Sequence, residues 1–573
     1  MLRTNNIKMK RELIALVSNQ HGKFAKLFRC ERTLQSSPYE YYEIEILYQE
    51  QIKIQGVSKQ DEIRYFDGFE TWIKIKDKPI YIKQSKNSFI RTTERYGYIT
   101  NQLTRHDRSY DSCGADLLRE ISREPQEVDD IIHRLLAIYE GVDFDTLKAD
   151  FMEFAESLAR DHFIMLGETP EELDAKDLTF SYSMGNPKTL ATDFYQATEK
   201  PISENTQDFF LEEVQGKPLI SNIQFELSSR CNERCIHCYI PNEKKNAGFD
   251  MPTAKVKDII DQLAAMGGIH VTFSGGEAFM HKDLIELTRY AREKDMMVTI
   301  LSNLIALKDK QVQQLKDLNI SLIQVSLYSM DPEIHDFITT VKGSFAKTKA
   351  AIEKLVAADV PVQISCPIMK ANRKGYRAVL EYANSLKIKA QTDYIMMAEA
   401  NFDTSNLANR ISIEETEELI RDIMQYDPVY KQDVITKRPV SEEIKFDLER
   451  LKKQPVCGVG YDNCCITANG DVYPCAGWQS MVLGNVYKQS LAEIWEDSPK
   501  LRELRHITQE SFPECLTCEA RDFCARCLVR NYNESNGDML KINRHFCDVA
   551  FLTKRLAEEY FAEQLKKNYG ETE

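Results

Sequence analysis

Three cysteines in the run CNERCIHC, Cys231, Cys235 and Cys238, supply three thiolates on one short loop. Thiolates ligate zinc and iron–sulfur clusters, and three of them can cap three corners of a tetrahedral or cubane site. His237 is the local candidate for a fourth ligand, but a residue adjacent to Cys238 is badly spaced to reach the same metal. Two chemistries follow: an iron–sulfur cluster with one iron open to a small molecule, or a zinc site completed by a distant residue. Farther along, Cys457, Cys475, Cys515, Cys518, Cys524, Cys527 and Cys547 form a denser set, with Cys464 and Cys465 side by side inside it. Paired CxxC units read first as a zinc ribbon. Seven spaced cysteines exceed one zinc site, and those seven plus one of the adjacent pair make the eight thiolates that two tetrathiolate clusters require.

The elements around the first loop alternate. Strand-like runs are NIQFEL (222–227), IHVTFS (269–274), MVTILS (297–302), SLIQVSL (321–327), PVQISCPI (361–368) and AQTDYIMM (390–397). Helical stretches near 253–266, 282–294, 308–317, 344–358, 375–387 and 412–426 follow them in turn. Six βα units predict an α/β fold with a parallel sheet curved into a barrel or partial barrel over 217–430, whose chemistry sits after the strand C-termini. The cysteine loop follows the first strand, and FSGGEAF follows the second. In the latter, Gly275 and Gly276 let backbones approach closely, and the Glu277 carboxylate can accept from an ammonium group. Ser302-Asn303 ends the third strand and Ser326 lies near the end of the fourth, positions where polar residues also serve simply as strand-end caps.

Outside this region, residues 1–84 hold Tyr- and Ile-rich alternating runs, YYEIEILY (41–48) and TWIKIKDKPIYIKQ (71–84). Residues 85–168 begin with short strands, FIRTTERYGYIT, and continue into two helical stretches, EVDDIIHRLLAIYEG and FDTLKADFMEFAESLARDHFIML, as in a winged-helix-like module. A polar linker covers 169–216 and a charged one 431–454, before a cysteine-rich region at 455–551 and an amphipathic helix at 552–573.

The net charge of −15 over 573 residues argues against non-specific nucleic-acid binding. No apolar run approaches the ~18–20 residues that span a bilayer, and the first twenty residues do not read as a secretory signal. The expected setting is cytoplasmic, where a disulfide framework is a poor account of fifteen cysteines and metal ligation a better one. Cys366, inside an apolar strand, reads as core packing.

Cys-x3-Cys-x2-Cys after the first strand, with Gly-Gly-Glu one βα unit later, resembles the signature of the radical S-adenosylmethionine superfamily. The resemblance covers about 220–425 and implies a partial (β/α)6 TIM-type barrel. It implies that Cys231, Cys235 and Cys238 hold a [4Fe–4S] cluster whose open iron chelates S-adenosylmethionine. Gly275, Gly276 and Glu277 would hold the methionine amino group, with Ser302, Asn303 and Ser326 as further contacts. Electron transfer from the reduced cluster, supplied by a donor such as flavodoxin or ferredoxin, would cleave the cofactor to methionine and a 5′-deoxyadenosyl radical. The downstream cysteines, with ANGDVYPCAGW between Ala468 and Trp478, resemble the SPASM extension, which implies two auxiliary [4Fe–4S] clusters and three in all. By order, the first takes Cys457, Cys464 or Cys465, Cys475 and Cys527, and the second Cys515, Cys518, Cys524 and Cys547. One spacing departs from that family: two residues, Ala525-Arg526, separate Cys524 from Cys527, where three are usual.

Residues 85–168 resemble the precursor-peptide recognition element of ribosomal peptide maturation, which binds a leader by adding it to a sheet edge. The combined expectation is an oxidoreductase that abstracts hydrogen from a leader-bearing precursor peptide and installs a cross-link. A Cys thioether comes first and a carbon–carbon bond second. Two alternatives stand: an anaerobic sulfatase-maturing enzyme that makes formylglycine, and a zinc-stabilised binding or scaffold protein. Neither nucleic acid nor membrane is an expected partner.

Overall fold

A computed structural model describes residues 79–184, 218–245, 247–436 and 448–569, together with the backbone of strands between Lys10 and Lys74. The expected alternation is present. Strands β1 (Asn222–Glu226), β2 (His270–Ser274), β3 (Met297–Ser302), β4 (Leu322–Ser326), β5 (Val362–Pro367) and β6 (Lys389–Asp393) pair in parallel in that order. Alternate side chains, among them Ile223, Phe225, Val271, Phe273, Val298, Ile300, Ile323 and Val325, are fully buried. Helices cover them. In Thr253–Ala265 the apolar positions Val256, Ile259, Ile260 and Leu263 recur at helical spacing and form its buried face. Burying one such side chain stabilises by roughly 1.5–3 kcal/mol.

The sheet does not stop at the barrel. Strand β7 (Asn463–Thr467) lies parallel to β1 on the side away from β2, matching Ile223 with Cys464 and Glu226 with Thr467. Strands β8 (Asp471–Tyr473) and β9 (Gly484–Asn485) continue it antiparallel. Barrel and cysteine-rich region therefore share one nine-stranded sheet. The expected linker at 431–454 is partly helical, in Pro428–Thr436 and Leu448–Lys453, and 437–447 lie outside the described residues. The C-terminal helix runs Arg544–Tyr569, so the boundary expected at 551/552 falls inside it and Cys547 sits in its first turn. A helix at Pro332–Thr339, capped by the Asp331 side chain, was not expected and precedes the helix at Ser344–Ala357.

Two compact units divide the chain. The barrel unit includes an antiparallel sheet of Ser88–Thr92, Gly97–Asn101 and Asp107–Tyr110, followed by the helix Ser112–Arg119. This sheet docks on the N-terminal ends of the barrel strands. Arg91 Nε donates to Gly268 O (2.8 Å) and Nη2 to Asp295 O (2.6 Å), just ahead of β2 and β3. Ahead of β4, Gln102 Nε2 donates to Asn319 O (3.1 Å). The other unit holds the five-stranded antiparallel sheet of the first 74 residues, the helix Val128–Leu135 and most of Phe144–Arg160. The stretch expected as one module, 85–168, is thus split between the units. Its second helix ends at Arg160, and Ile164–Gly167 is a strand rather than a continuation. The linker expected at 169–216 begins with the helix Pro170–Lys176, and 185–217 lie outside the described residues. The run expected at 71–84 is two strands, Ile73–Lys74 and Tyr81–Gln84. Among the described residues no helix is long and apolar enough to cross a membrane.

Phe225 is fully buried in β1, with its ring 5.9 Å from that of Phe273. Phe225→Ala should cost about 3–5 kcal/mol, read as a lower denaturant midpoint at unchanged m-value.

Candidate active site and cluster loops

At the C-terminal ends of the barrel strands, one cavity is lined by Cys231, Cys235 and Cys238 together with Gly275, Gly276, Glu277, Ser302, Asn303 and Ser326. These residues come from four successive strand ends. The two glycines explain how the loops meet. Gly275 has φ +141°, and a Cβ there would lie 2.5 Å from Ser228 O. A Cβ on Gly276 would collide with the Arg230 carbonyl and meet Cys231 Cβ at 2.9 Å. In their place the backbones bond: Gly276 N–H donates to Ser228 O (2.8 Å) and Glu277 N–H to Arg230 O (2.9 Å).

Glu277 is buried and its carboxylate is held by three donors. Ser302 Oγ (2.7 Å) and Phe279 N–H (2.9 Å) donate to Oε1, and Asn303 N–H (2.8 Å) donates to Oε2. A carboxylate accepts about four hydrogen bonds, so one position remains for an ammonium. Burial raises the Glu277 carboxyl above the usual range, while the three donors oppose this. Asn303 Nδ2 also reaches Asn232 Oδ1 on the cysteine loop (2.7 Å), tying the third strand end to the first. Ser302 and Asn303 therefore brace the site as well as line it.

Further lining residues are His237, the local candidate for a fourth ligand, and Lys245, Tyr328 and Glu233, which were not singled out from sequence. Lys245 is buried and supplies a positive charge to the cavity wall. Tyr328, two residues beyond Ser326, donates from its hydroxyl to Cys235 Sγ (3.8 Å). His237 packs edge-on against Tyr328 with centroids 4.9 Å apart. Glu233 is buried, and its Oε2 accepts from Cys235 Sγ at 3.4 Å. Glu233 and Tyr328 lie within two residues of residues already read, whereas Lys245, seven residues beyond Cys238, carried no such signal.

The other cysteines fall into two groups. Cys515, Cys518, Cys524, Cys527 and Cys547 line a single apolar pocket with Phe512 and Phe546, so the pocket does not by itself separate Cys527 from the other four. Burial first, then opposing Arg526 and neighbouring Cys547, Cys515 and Cys518, set the Cys524 thiol at about 11. Cys457 is pushed up to about 12 by burial, with Cys527 and Cys475 as neighbouring charges. The adjacent pair separates by strand alternation. Cys464 enters the apolar core and its thiol is raised by burial alone. Cys465 faces the opposite way, where burial, Glu226, Cys464 and Cys475 all hold its thiol high. Cys366 is fully buried in the core, and Cys113 is exposed. Among the described residues no three His, Cys, Asp or Glu side chains close on one ion. Cys231, Cys235 and Cys238 share one cavity and Cys515, Cys518, Cys524, Cys527 and Cys547 another, and thiolates are the donors that iron–sulfur clusters take.

Residues 225–383 match the radical SAM superfamily, and 457–519 match the SPASM iron–sulfur cluster-binding domain. The AdoMet-dependent heme synthase of Methanosarcina barkeri is 27% identical over 333 residues, covering 56% of this chain and 94% of the relative. The antilisterial bacteriocin subtilosin biosynthesis protein AlbA of Bacillus subtilis is 25% identical over 398 residues, 68% of this chain and 83% of the relative. Among solved structures, Streptococcus suis SuiB bound to precursor peptide SuiA covers 81% of this chain and 99% of its own, with TM-score 0.55 and 15% identity.

Gly276→Ala should force the cysteine loop away, at about 1–3 kcal/mol for an overpacked contact. The expected readout is faster alkylation of Cys231, Cys235 and Cys238 in the metal-free protein, with rates at Cys515 and Cys518 unchanged.

Proposed function

Since this chain is a radical S-adenosylmethionine enzyme with an iron–sulfur SPASM domain, we propose that it matures a ribosomally made precursor peptide by hydrogen abstraction and cross-linking. The bond formed is a Cys thioether first, a carbon–carbon link second. The observation carrying this reading is the extent of the likeness to SuiB in fold: 81% of the chain is more than residues 217–573 contain, so the likeness continues into the N-terminal region. That region offers Asp107–Tyr110 at the edge of its sheet, a position where a leader can add as a strand.

Cys231, Cys235 and Cys238 would hold the radical cluster. Cys457, Cys465, Cys475 and Cys527 would hold one auxiliary cluster, with Cys464 left to the core, and Cys515, Cys518, Cys524 and Cys547 the other. When bound, the cluster and S-adenosylmethionine supply a 5′-deoxyadenosyl radical that removes a substrate hydrogen atom. The chain's own residues orient that cofactor: the free acceptor position of Glu277 takes the methionine ammonium, and the Lys245 ammonium takes its carboxylate. Ser302 and Asn303 keep the Glu277 carboxylate from turning away.

Anaerobically reconstituted protein should bind about twelve irons, three cubanes of four. Replacing Cys231, Cys235 and Cys238 by Ala should remove about a third of that iron. Cys465→Ala should lose iron from an auxiliary site, while Cys464→Ala should lower stability at constant iron. Lys245→Met should weaken S-adenosylmethionine binding about tenfold, consistent with the loss of one charge-assisted hydrogen bond. The deciding measurement is mass spectrometry of a candidate precursor incubated anaerobically with enzyme, cofactor and reductant. A loss of two hydrogens per cross-link is expected. Conversion of a porphyrin, with every candidate peptide untouched, would overturn the reading.

A further inference from the structure

A second cavity opens at the C-terminal end of β1, on the side where β7 and β8 join the barrel, and it shares Ile240 and Gly276 with the cofactor cavity. Glu226 lines it and is 6% exposed. Gln479, itself buried, clamps two opposite charges at once. Its Nε2 donates to Glu226 Oε1 (2.7 Å), while its backbone carbonyl (2.8 Å) and Oε1 (3.4 Å) accept from Lys244 Nζ. Lys244 also stands 5.5 Å over the Tyr473 ring. Among the described residues, Glu226 and Lys244 form no ion pair with each other, and the Glu226 carboxylate is held at Oε1 by Gln479. Burial pushes the Glu226 carboxyl up to about 7 and lowers the Lys244 ammonium.

A buried acid and a half-buried ammonium, both held by Gln479 and kept apart by it, face the cavity together and leave room for a ligand that meets both. A cation would satisfy Glu226 while facing the Lys244 ammonium, and an anion would meet the converse problem. A carboxamide satisfies both: its oxygen accepts from Lys244 and its NH2 donates to Glu226 Oε2. Ile240, Tyr473 and Phe249, the last 53% exposed, supply apolar wall for a methylene stem.

We propose that this cavity is a substrate subsite that takes the carboxamide side chain of an asparagine or glutamine of the peptide. It rests on the peptide-substrate reading above. Its place beside Gly276 lets that side chain select which part of the peptide is presented to the cofactor cavity.

The test uses blocked tripeptides, acetyl-Gly-X-Gly N-methylamide with X as Gln, Leu, Lys or Glu, and ligand-observed NMR under anaerobic conditions. The Gln peptide should bind the wild type and bind Lys244→Met at least about tenfold more weakly, as expected for a lost bond to a charged donor. Glu226→Gln, whose one amide oxygen is taken by Gln479 Nε2 and whose NH2 would face the ligand's NH2, should also bind it at least about tenfold more weakly. Lys244→Arg, which keeps a donor and controls for misfolding, should retain binding. Equal binding of the Leu peptide, a Lys peptide lost only in Glu226→Gln, or no binding by any peptide would overturn the subsite. A precursor modified regardless of Asn or Gln in its core would overturn the subsite and leave the function standing. Selective Gln-peptide binding by an enzyme that modifies no peptide would overturn the function and leave the subsite.

Discussion

Two stretches of backbone, Ser228–Arg230 and Gly275–Gly276, approach more closely than any side chain permits, and the rest of the site depends on that approach. It brings the cysteine loop onto the end of β2, and Glu277 follows directly after it. The carboxylate then organises the third strand end through Ser302 and Asn303, and Asn303 closes the circuit on Asn232. Glycine is required here for two separate reasons, a positive φ at Gly275 and simple lack of room at Gly276. The chemistry-bearing residues are therefore positioned by main chain, which is stiffer than any side-chain scaffold.

The second organising feature is that β1 has two parallel neighbours. One carries the Gly-Gly-Glu segment and the other the cysteine pair 464–465. Through β1 the cofactor cavity and the first group of downstream cysteines belong to one sheet. The contact is reinforced beyond it: Arg410 and Glu534, 10% and 12% exposed, pair at 2.5 Å. Breaking either partner of the buried ion pair would leave an uncompensated charge, so the region is held against the barrel by polar as well as apolar contacts.

The six βα units were legible because apolar periodicity is a local property, and their observed limits agree with the expected ones to within a few residues. What local pattern cannot carry is partnership. Nothing in NCCIT says that it pairs with NIQFE, and without that register the two faces of Cys464 and Cys465 cannot be told apart. The same holds for Lys244 and Lys245. They stand side by side in NEKK and nothing in the sequence tells them apart, yet each lines a different cavity. The Gly-Gly-Glu segment was legible as a motif, but the donors on its carboxylate were not, since two of the three, Ser302 and Asn303, come from another strand end. The helix at Pro332–Thr339 was hidden because two helices occupy one connection.

The docking of the small antiparallel sheet beneath the barrel sets a ruler. Arg91 and Gln102 fasten it where the strands begin, while the cysteine loop stands where they end. A strand of six residues spans roughly 20 Å at 3.3 Å per residue. A peptide anchored along Asp107–Tyr110, as proposed above, would have to cover a distance of that order before any of its residues reached the cavity. Positions too close to the anchor would then be out of reach however reactive they are. The spacer between anchor and reactive residue, rather than local sequence alone, would then decide where along the peptide the first modification falls.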